Sequence, residues 1–160
     1  ARGLIGLRSH MLTATSGEAV MYHCFHKYAP VRTTLYRRAN GVLIATAPGQ
    51  ATTYAMLNIS QRGVLFVEPQ EVIYGGQIVG ENSRDNDLEV NVVKGKAFSN
   101  VREANKEATT VLKASREITL ESALEYIQDD ELVEITPDNI RIRKTELSES
   151  KRKQIARKNK

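Results

Sequence analysis

Cations and short polar side chains are concentrated in residues 94–116, whose sequence is KGKAFSNVREANKEATTVLKASR. Lysine and arginine bind phosphate, serine and asparagine hydrogen-bond to sugar and phosphate oxygens, and a glycine allows close approach of the backbone. The residues with this chemistry are Lys94, Lys96, Ser99, Asn100, Arg102 and Lys106. Apolar periodicity is weak here, which is typical of long surface loops. The stretch predicts either contacts with a sugar-phosphate backbone or a solvated loop.

A second group of cations lies at the end of the chain. Residues 141–160 carry a net charge of +7, whereas the whole chain carries +4 and the remainder therefore −3. The candidate phosphate-binding residues here are Arg141, Arg143, Lys144, Lys151, Arg152 and Lys153. A mildly acidic body with a basic end is typical of proteins that bind a polyanion at one place, although a solvated tail has the same composition. Only Ile155 and Ala156 are apolar near the end, so we expect residues 146–160 to be disordered when free.

Metal and catalytic sites are not favoured by the sequence. His23, Cys24 and His26 have side chains that bind zinc, but on a strand His23 points away from the other two. No nucleophile, base and orienting group can be assembled, so the sequence predicts that this chain is not an enzyme. The carboxylates that could suggest metal or acid chemistry cluster at a helix end on its solvated side: Glu125, Asp129, Asp130 and Glu131.

A nucleotide-binding loop is excluded by the residues that follow its glycines. Gly75 and Gly80 have the spacing of a phosphate loop, but Glu81 and Asn82 stand where lysine and serine or threonine are required. A glutamate repels phosphate. We therefore predict a tight turn between strands that end near Tyr74 and begin near Ile78, and no cofactor in this chain.

The elements that must position these residues are mainly strands. Short β-rich segments separated by turn residues predict a barrel-like or strongly twisted sheet. The predicted strands are Leu35–Arg37, Gly41–Thr46, Ala51–Leu57, Val64–Val67, Val72–Tyr74, Ile78–Gly80 and Glu89–Val93, with a Pro48-Gly49 turn. At the N-terminus, apolar residues at helical spacing precede Gly17, and Glu18–Tyr28 is predicted as a strand.

A helix and a hairpin are predicted in residues 120–144, LESALEYIQDDELVEITPDNIRIRK. Thr119 is the predicted N-cap, and the apolar residues at helical spacing are Leu120, Ala123, Leu124 and Ile127. Alternating residues then flank a Pro137-Asp138-Asn139 turn and predict two paired strands with outward-facing arginines. Together these elements predict an α+β fold in which β structure dominates.

The sequence of residues 120–144 resembles the end of the C-terminal domain of the TypA/BipA translational GTPases, relatives of elongation factor G. The resemblance extends along the chain through RGLIG at 2–6, GEAVM at 17–21, Gln61-Arg62-Gly63, GGQIVGE at 75–81, NDLEVNV at 86–92 and Lys94–Arg102.

This resemblance implies a domain organisation and a function. Residues 1–28 are expected to be part of a ferredoxin-like domain, 29–145 a TypA/BipA-type C-terminal domain whose loop 94–116 reaches RNA, and 146–160 a basic tail. The implied function is ribosome and RNA binding, at the acceptor end of transfer RNA in particular, by a GTPase of ribosome assembly and stress-responsive translation. The GTPase domain, with its GTP and magnesium, is absent from this chain. The ferredoxin-like part implies a possible dimer.

Composition agrees with a cytoplasmic protein. The chain is 41% hydrophobic and 26% charged, which is typical of globular proteins, and no apolar run approaches the ~20 residues needed to span a bilayer. No signal peptide is recognisable, and the single cysteine has no internal disulfide partner. A protein-protein interaction module with a solvated basic tail is the alternative function.

Overall fold

The computed structural model describes residues 4, 6–30, 38–95 and 112–158. Its helices are α1 (Leu7–Ala14), α2 (Thr53–Ile59), α3 (Leu120–Tyr126) and α4 (Glu149–Lys158). Its strands are β1 (Val42–Ala45), β2 (Gly49–Gln50), β3 (Gly63–Leu65), β4 (Val72–Ile73), β5 (Gln77–Asn82), β6 (Leu88–Val90), β7 (Glu131–Ile135) and β8 (Ile140–Lys144).

Strand β5 is the centre of a six-stranded sheet, in which five strands follow the order β6-β1-β5-β8-β7 and β3 pairs with β5 beside this path. Strand β1 covers one edge of β5, and two strands share the other edge: β8 pairs with Gln77 and Ile78, and β3 with the residues from Gly80 onward. The short pair β2 and β4 forms a second sheet. The α+β fold dominated by β structure is therefore confirmed, and the described strands form an open sheet and not a closed barrel.

The sheet has a core on each face because its central strands are apolar on both sides. Along β1, Leu43 and Ala45 face the cluster that includes Met56 of α2, whereas Val42 and Ile44 face the cluster that includes Ala123 of α3. This alternation is the two-residue period of a strand. The result is a three-layer arrangement with α2 and α3 on opposite faces of the sheet.

Helix α2 occupies most of the segment predicted as the strand Ala51–Leu57, so that prediction is wrong. Thr52 caps the helix by accepting a hydrogen bond from the Ala55 N–H at 3.2 Å, and Ala55, Met56 and Ile59 are buried on one face. The spacing of these three residues is helical. The burial of that face stabilises the helix and outweighs the weak strand propensity of the residues around Tyr54.

The predicted helix and hairpin in residues 120–144 are confirmed. Thr119 and Ser122 form a reciprocal capping box at the start of α3. The helix nevertheless packs through Ala123, Tyr126 and Ile127, and Leu120 and Leu124 remain exposed. The hairpin register joins Glu131 to Lys144 and Ile135 to Ile140.

The predicted turn between Tyr74 and Ile78 is also confirmed, since β4 ends at Ile73 and β5 begins at Gln77. Gly80, the second glycine of the rejected phosphate loop, lies within β5. A Cβ atom at Gly80 would lie 2.5 Å from the Val64 carbonyl oxygen, so a glycine allows β3 to cross closely.

Two predictions near the ends of the chain are wrong. Glu18–Tyr28 has no regular secondary structure and joins no ladder among the described residues, and Tyr22 and Tyr28 are 92% and 95% exposed. A strand needs hydrogen-bonding neighbours, and none of the described strands supplies them. The predicted disorder after residue 146 is replaced by α4. The predicted strand Leu35–Arg37 lies outside the described residues.

Candidate nucleic-acid interface

Helix α4 places exposed cations on the side that faces away from the sheet. At 3.6 residues per turn, Ile155 and Ala156 lie beside Arg152, the residue that contacts the sheet. The cations on the other side are Lys151, Lys153, Arg157 and Lys158, and all four are exposed. The hydrogen bond from Lys153 lowers the pKa of Glu149, the carboxylate one turn earlier. The outer face of α4 is therefore predominantly positive.

Arg152 fastens α4 to the edge of the sheet. Its Nη2 donates to Oε1 of Glu89 in β6 at 2.5 Å, and its Nη1 donates to the carbonyls of Glu146 and Leu147 at 2.7 Å. The Arg152 side chain is only 15% exposed. A sequence-predicted RNA contact thus serves mainly to hold the helix that carries the other cations.

A glycine provides the second attachment of this segment. Gly76 has φ +87°, and a Cβ atom there would lie 2.7 Å from Cδ2 and 2.8 Å from Cα of Leu147. The N–H of Lys144 donates to the Gly76 carbonyl at 3.0 Å. The chain that leads into α4 therefore packs against the turn before β5. Neither Gly76 nor Glu89 is near α4 in sequence, which is why the local sequence predicts disorder.

The arginines of the hairpin are less available than predicted. The Nε of Arg141 is 3.9 Å from Oε1 of Glu71, and that of Arg143 is 2.5 Å from Oε1 of Glu134. Both arginine side chains are about a quarter exposed, at 25% and 23%. Phosphate would have to compete with these carboxylates, so the hairpin is a weaker candidate than α4.

Lys144 is enclosed by carboxylates and does not face solvent. Its side chain is 3% exposed, and Nζ lies 2.7 Å from Asp87, 2.8 Å from Asp130 and 3.0 Å from Glu131. Each of the three ammonium hydrogens thus has a carboxylate partner. Lys144 therefore joins β8 to β7 and to the turn before β6. Because its charge is enclosed, it is not part of the proposed interface.

The same cluster also contains Arg38, which forms a two-pronged ion pair with Glu131. Burial alone would lower the pKa of Lys144, but hydrogen bonds to Asp130 and Asp87 and the charge of Glu131 outweigh it and raise the pKa. Burial likewise opposes the charged form of Arg38, and Glu131 reverses the effect, so that its pKa is raised. Both groups are therefore cationic at neutral pH and act as structural charges.

The predicted RNA-binding loop begins at Lys94, whose side chain is exposed. Thr52 holds this end of the loop: its hydroxyl donates to the Lys94 carbonyl at 2.6 Å and its N–H to the Val92 carbonyl at 2.9 Å. The other predicted loop residues lie outside the described part of the chain: Lys96, Ser99, Asn100, Arg102 and Lys106.

Arg116 holds the chain where it returns from the loop. Its guanidinium carbon lies 4.7 Å from the ring centroid of Phe66 and 5.6 Å from that of Tyr126. Its Nη2 is 2.7 Å from Oε2 of Glu81, and its N–H donates to the Leu65 carbonyl at 2.8 Å. The two ends of the loop are thus attached to the folded domain, one to the start of α2 by Thr52 and the other to the sheet by Arg116.

Sequence reasoning misses four of these residues. Arg157 and Lys158 contribute to the positive charge of the tail but are not among the candidate contacts, because helical spacing is not expected there. Thr52 has a detectable signal, since threonine is a favoured N-cap residue. Arg116 has none in its local sequence, because its partners are distant along the chain.

The other chemical groups singled out in the sequence do not form a site. His23, Cys24 and His26 are exposed in the N-terminal segment that follows α1, and no group of three potential metal ligands converges among the described residues. Asp130 and Glu131, two of the clustered carboxylates, bind Lys144. None of the helices in the described ranges has the length and apolar character needed to cross a membrane.

Comparison with known proteins identifies similar chains. Residues 40–149 match the TypA/BipA C-terminal domain. The chain is 45% identical to the large ribosomal subunit assembly factor BipA of Bacillus subtilis, in an alignment covering 100% of this chain and 26% of that protein. It is 47% identical to the same factor of Synechocystis, over 90% and 24%, and 44% identical to that of Haemophilus influenzae, over 98% and 26%. The chain spans about a quarter of the length of these curated relatives.

Proposed function

Because the chain belongs to the TypA/BipA family, we propose that it is the ribosome-binding and RNA-binding C-terminal region of a translational GTPase that assists assembly of the large ribosomal subunit. The proposal includes the domain division predicted from the sequence, with residues 1–28 as part of a ferredoxin-like domain, 29–145 as the family domain and 146–160 as the basic tail. It also includes action in stress-responsive translation, a cytoplasmic location and a possible dimer through residues 1–28.

The observation that carries the proposal is the outer face of α4. Its four cations are exposed, and Arg152 and Leu147 hold the helix against the sheet at two places. A helix fixed in this way presents its charges in one direction. Such a surface binds phosphates by releasing their counterions, largely without base specificity.

The loop that begins at Lys94 supports a second contact. Its cations and hydrogen-bonding side chains have the chemistry for sugar-phosphate contacts, and Thr52 and Arg116 attach its two ends to the start of α2 and to the sheet. We propose that Lys94, Lys96, Ser99, Asn100, Arg102 and Lys106 contact RNA backbone, with the acceptor end of transfer RNA as the expected target. Arg141 and Arg143 make weaker contacts than the cations of α4 because carboxylates already pair with them.

We further propose that GTP and magnesium are bound by another part of the parent protein. The glycines of this chain that have phosphate-loop spacing serve a turn and a strand crossing, and Glu81 follows them. In this proposal the chain contributes binding to the ribosome, and catalysis takes place elsewhere in the protein.

A matched pair of double variants tests the role of α4. Arg157→Gln with Lys158→Gln removes two charges from its outer face, and Arg62→Gln with Arg84→Gln removes two exposed charges near the opposite end of β5. Binding to a fragment of ribosomal RNA is measured over a range of salt concentrations. The α4 variant should flatten the slope of log affinity against log salt by ~0.7–0.9 for each phosphate that it no longer neutralises.

The control variant should retain the slope of the unmodified chain. Equal flattening by both variants would mean that RNA responds only to net charge. An unchanged slope in the α4 variant would instead favour a protein-protein interaction module with a solvated basic tail.

A further inference from the structure

A groove of about 650 Å³ lies between β8 and the chain that follows β3, and none of its described lining residues belongs to α4. Its apolar lining includes Phe66, Ile118 and Ile140, which are only partly buried. The volume is within the range of ligand-binding clefts. The groove forms because β8 and β3 share one edge of β5 and diverge where the pairing changes from one to the other.

Among the described residues, the wall formed by β8 has a strand edge that is paired only in part. The ladder between β5 and β8 contains only Gln77 with Arg143 and Ile78 with Ile142. The N–H of Lys144 bonds to the Gly76 carbonyl on this side, so by the alternation of an antiparallel strand the backbone groups of Ile140 also point to this side. No described residue pairs with Ile140 there, so its N–H and carbonyl are available to an added strand.

Carboxylates surround the groove. Of its described lining residues, Glu68, Glu71, Glu117 and Asp138 are acidic and Arg141 alone is basic. Glu68, Glu117 and Asp138 are exposed. Glu71 accepts a hydrogen bond from the Glu68 N–H at 3.1 Å and forms an ion pair with Arg141. The surface is therefore complementary to a cationic partner.

We propose that this groove binds an extended, basic segment of a partner protein, which adds as a short strand beside Ile140. Alternate side chains of such a segment enter the apolar lining, and the intervening cations lie near the carboxylates at the rim. Backbone pairing supplies the binding, and the charges select a basic partner. This surface is distinct from α4, so the chain contacts RNA and protein at different places.

The test uses the full chain and a fluorescent synthetic peptide of alternating lysine and valine. Two peptide controls separate the contributions. A peptide of alternating glutamate and valine reverses the charge, and a lysine-valine peptide with every backbone amide N-methylated cannot donate the hydrogen bonds of an added strand. Fluorescence anisotropy should show that the unmodified lysine-valine peptide binds and that each control peptide binds at least threefold more weakly.

A matched pair of protein variants tests the rim. Glu68→Gln with Asp138→Asn removes two groove carboxylates, and Glu18→Gln with Asp85→Asn removes two exposed carboxylates elsewhere. The groove variant should weaken peptide binding about twofold to thirtyfold, as expected for two exposed charge pairs. The control variant should bind like the unmodified chain, and thermal unfolding should confirm that both variants are folded.

Three results would overturn the proposal. Equal binding of the lysine and glutamate peptides would remove the charge argument, and equal binding of the N-methylated peptide would remove the added strand. If the groove variant kept peptide binding but lost self-association in sedimentation velocity, the occupant would be a second copy of this chain.

Discussion

The same residue type has opposite roles at two positions of this chain. Lys153 lies on the outer face of α4 with its side chain 63% exposed, whereas Lys144 is 3% exposed among three carboxylates. The sequence alone predicts that both lysines contact phosphate, because both belong to the basic stretch 141–160. The difference arises from Asp87, Asp130 and Glu131, which only the fold brings to Lys144.

Replacing Lys144 by methionine should destabilise the fold without a specific effect on RNA binding. Removing one partner of a buried ion pair costs about 3–5 kcal/mol, and the low end applies because Asp87 and Asp130 are partly exposed. Urea unfolding measures the change. The control Lys151→Met alters an exposed side chain and should change the free energy of unfolding by no more than ~0.5 kcal/mol. If Lys144→Met kept its stability and lost RNA binding, Lys144 would be a contact residue after all.

Tyr74 should make the fold sensitive to alkaline pH. Burial, together with a hydrogen bond to Glu134, raises the pKa of Tyr74 above its ordinary 10.0. A raised pKa contributes stability that is complete below pH 10.0 and is lost as pH rises through the folded-state value. Lys144 acts in the same direction above its ordinary 10.5.

The variant Tyr74→Phe isolates this contribution. It loses the hydrogen bond to Glu134 and should be about 1 kcal/mol less stable than the unmodified chain near neutral pH. That difference should shrink as the pH is raised above 10.0, where only the unmodified chain has Tyr74 to titrate. Urea unfolding at neutral and alkaline pH provides the measurement. A difference that stayed constant with pH would show that Tyr74 does not titrate differently in the folded state.

Elements with local signals could be predicted from the sequence, and elements that depend on distant partners could not. The helix after Thr119 and the hairpin around Pro137 have their capping and turn residues within a few positions, and both predictions are confirmed. Helix α4 has little apolar surface of its own and depends on Glu89 and Gly76. Its attachment is therefore invisible in the local sequence.

Replacing Arg152 by glutamine should release α4 while leaving the sheet folded. The variant loses the ion pair with Glu89 and the bonds to the Glu146 and Leu147 carbonyls. A short helix without tertiary contacts is marginal in water. The backbone amides of residues 149–158 should therefore lose their protection against hydrogen exchange, whereas those of β1 and β5 should keep it. The matched variant Lys153→Gln also removes one cation from α4 but lies on the outer face, so it should retain protection. If residues 149–158 were equally protected in both variants, Arg152 would not be the residue that holds α4 against the sheet.

At the scale of the whole molecule, the family and the α+β fold follow from ordered blocks of sequence, and both are confirmed. The distribution of charge was only partly predictable. Counting residues located the positive end, but it did not distinguish charges on the outer face of α4 from those used inside the fold. The groove beside Ile140 had no sequence signal, since its walls come from separated segments.

The loop and α4 should contribute separately to one RNA-binding surface. Arg152 joins α4 to β6, and the chain after β6 leads to Lys94, where the loop begins. One RNA molecule can therefore contact both, and their effects on the salt dependence of binding should add if they contact different phosphates. Lys94, Lys96 and Arg102 replaced together by alanine form the loop variant, and Arg157→Gln with Lys158→Gln forms the α4 variant.

Binding to transfer RNA and to a ribosomal RNA fragment should be measured for the loop variant, the α4 variant and their combination. The combined variant should flatten the salt slope by the sum of the separate decreases, and the loop variant alone should weaken binding more than tenfold. Its unfolding free energy should change by no more than ~0.5 kcal/mol per site, as for surface substitutions. If the loop variant unfolded much earlier while its folded fraction bound RNA normally, these cations would stabilise the domain and would not contact RNA. If the combined variant flattened the slope no further than the α4 variant alone, α4 would account for the whole interface.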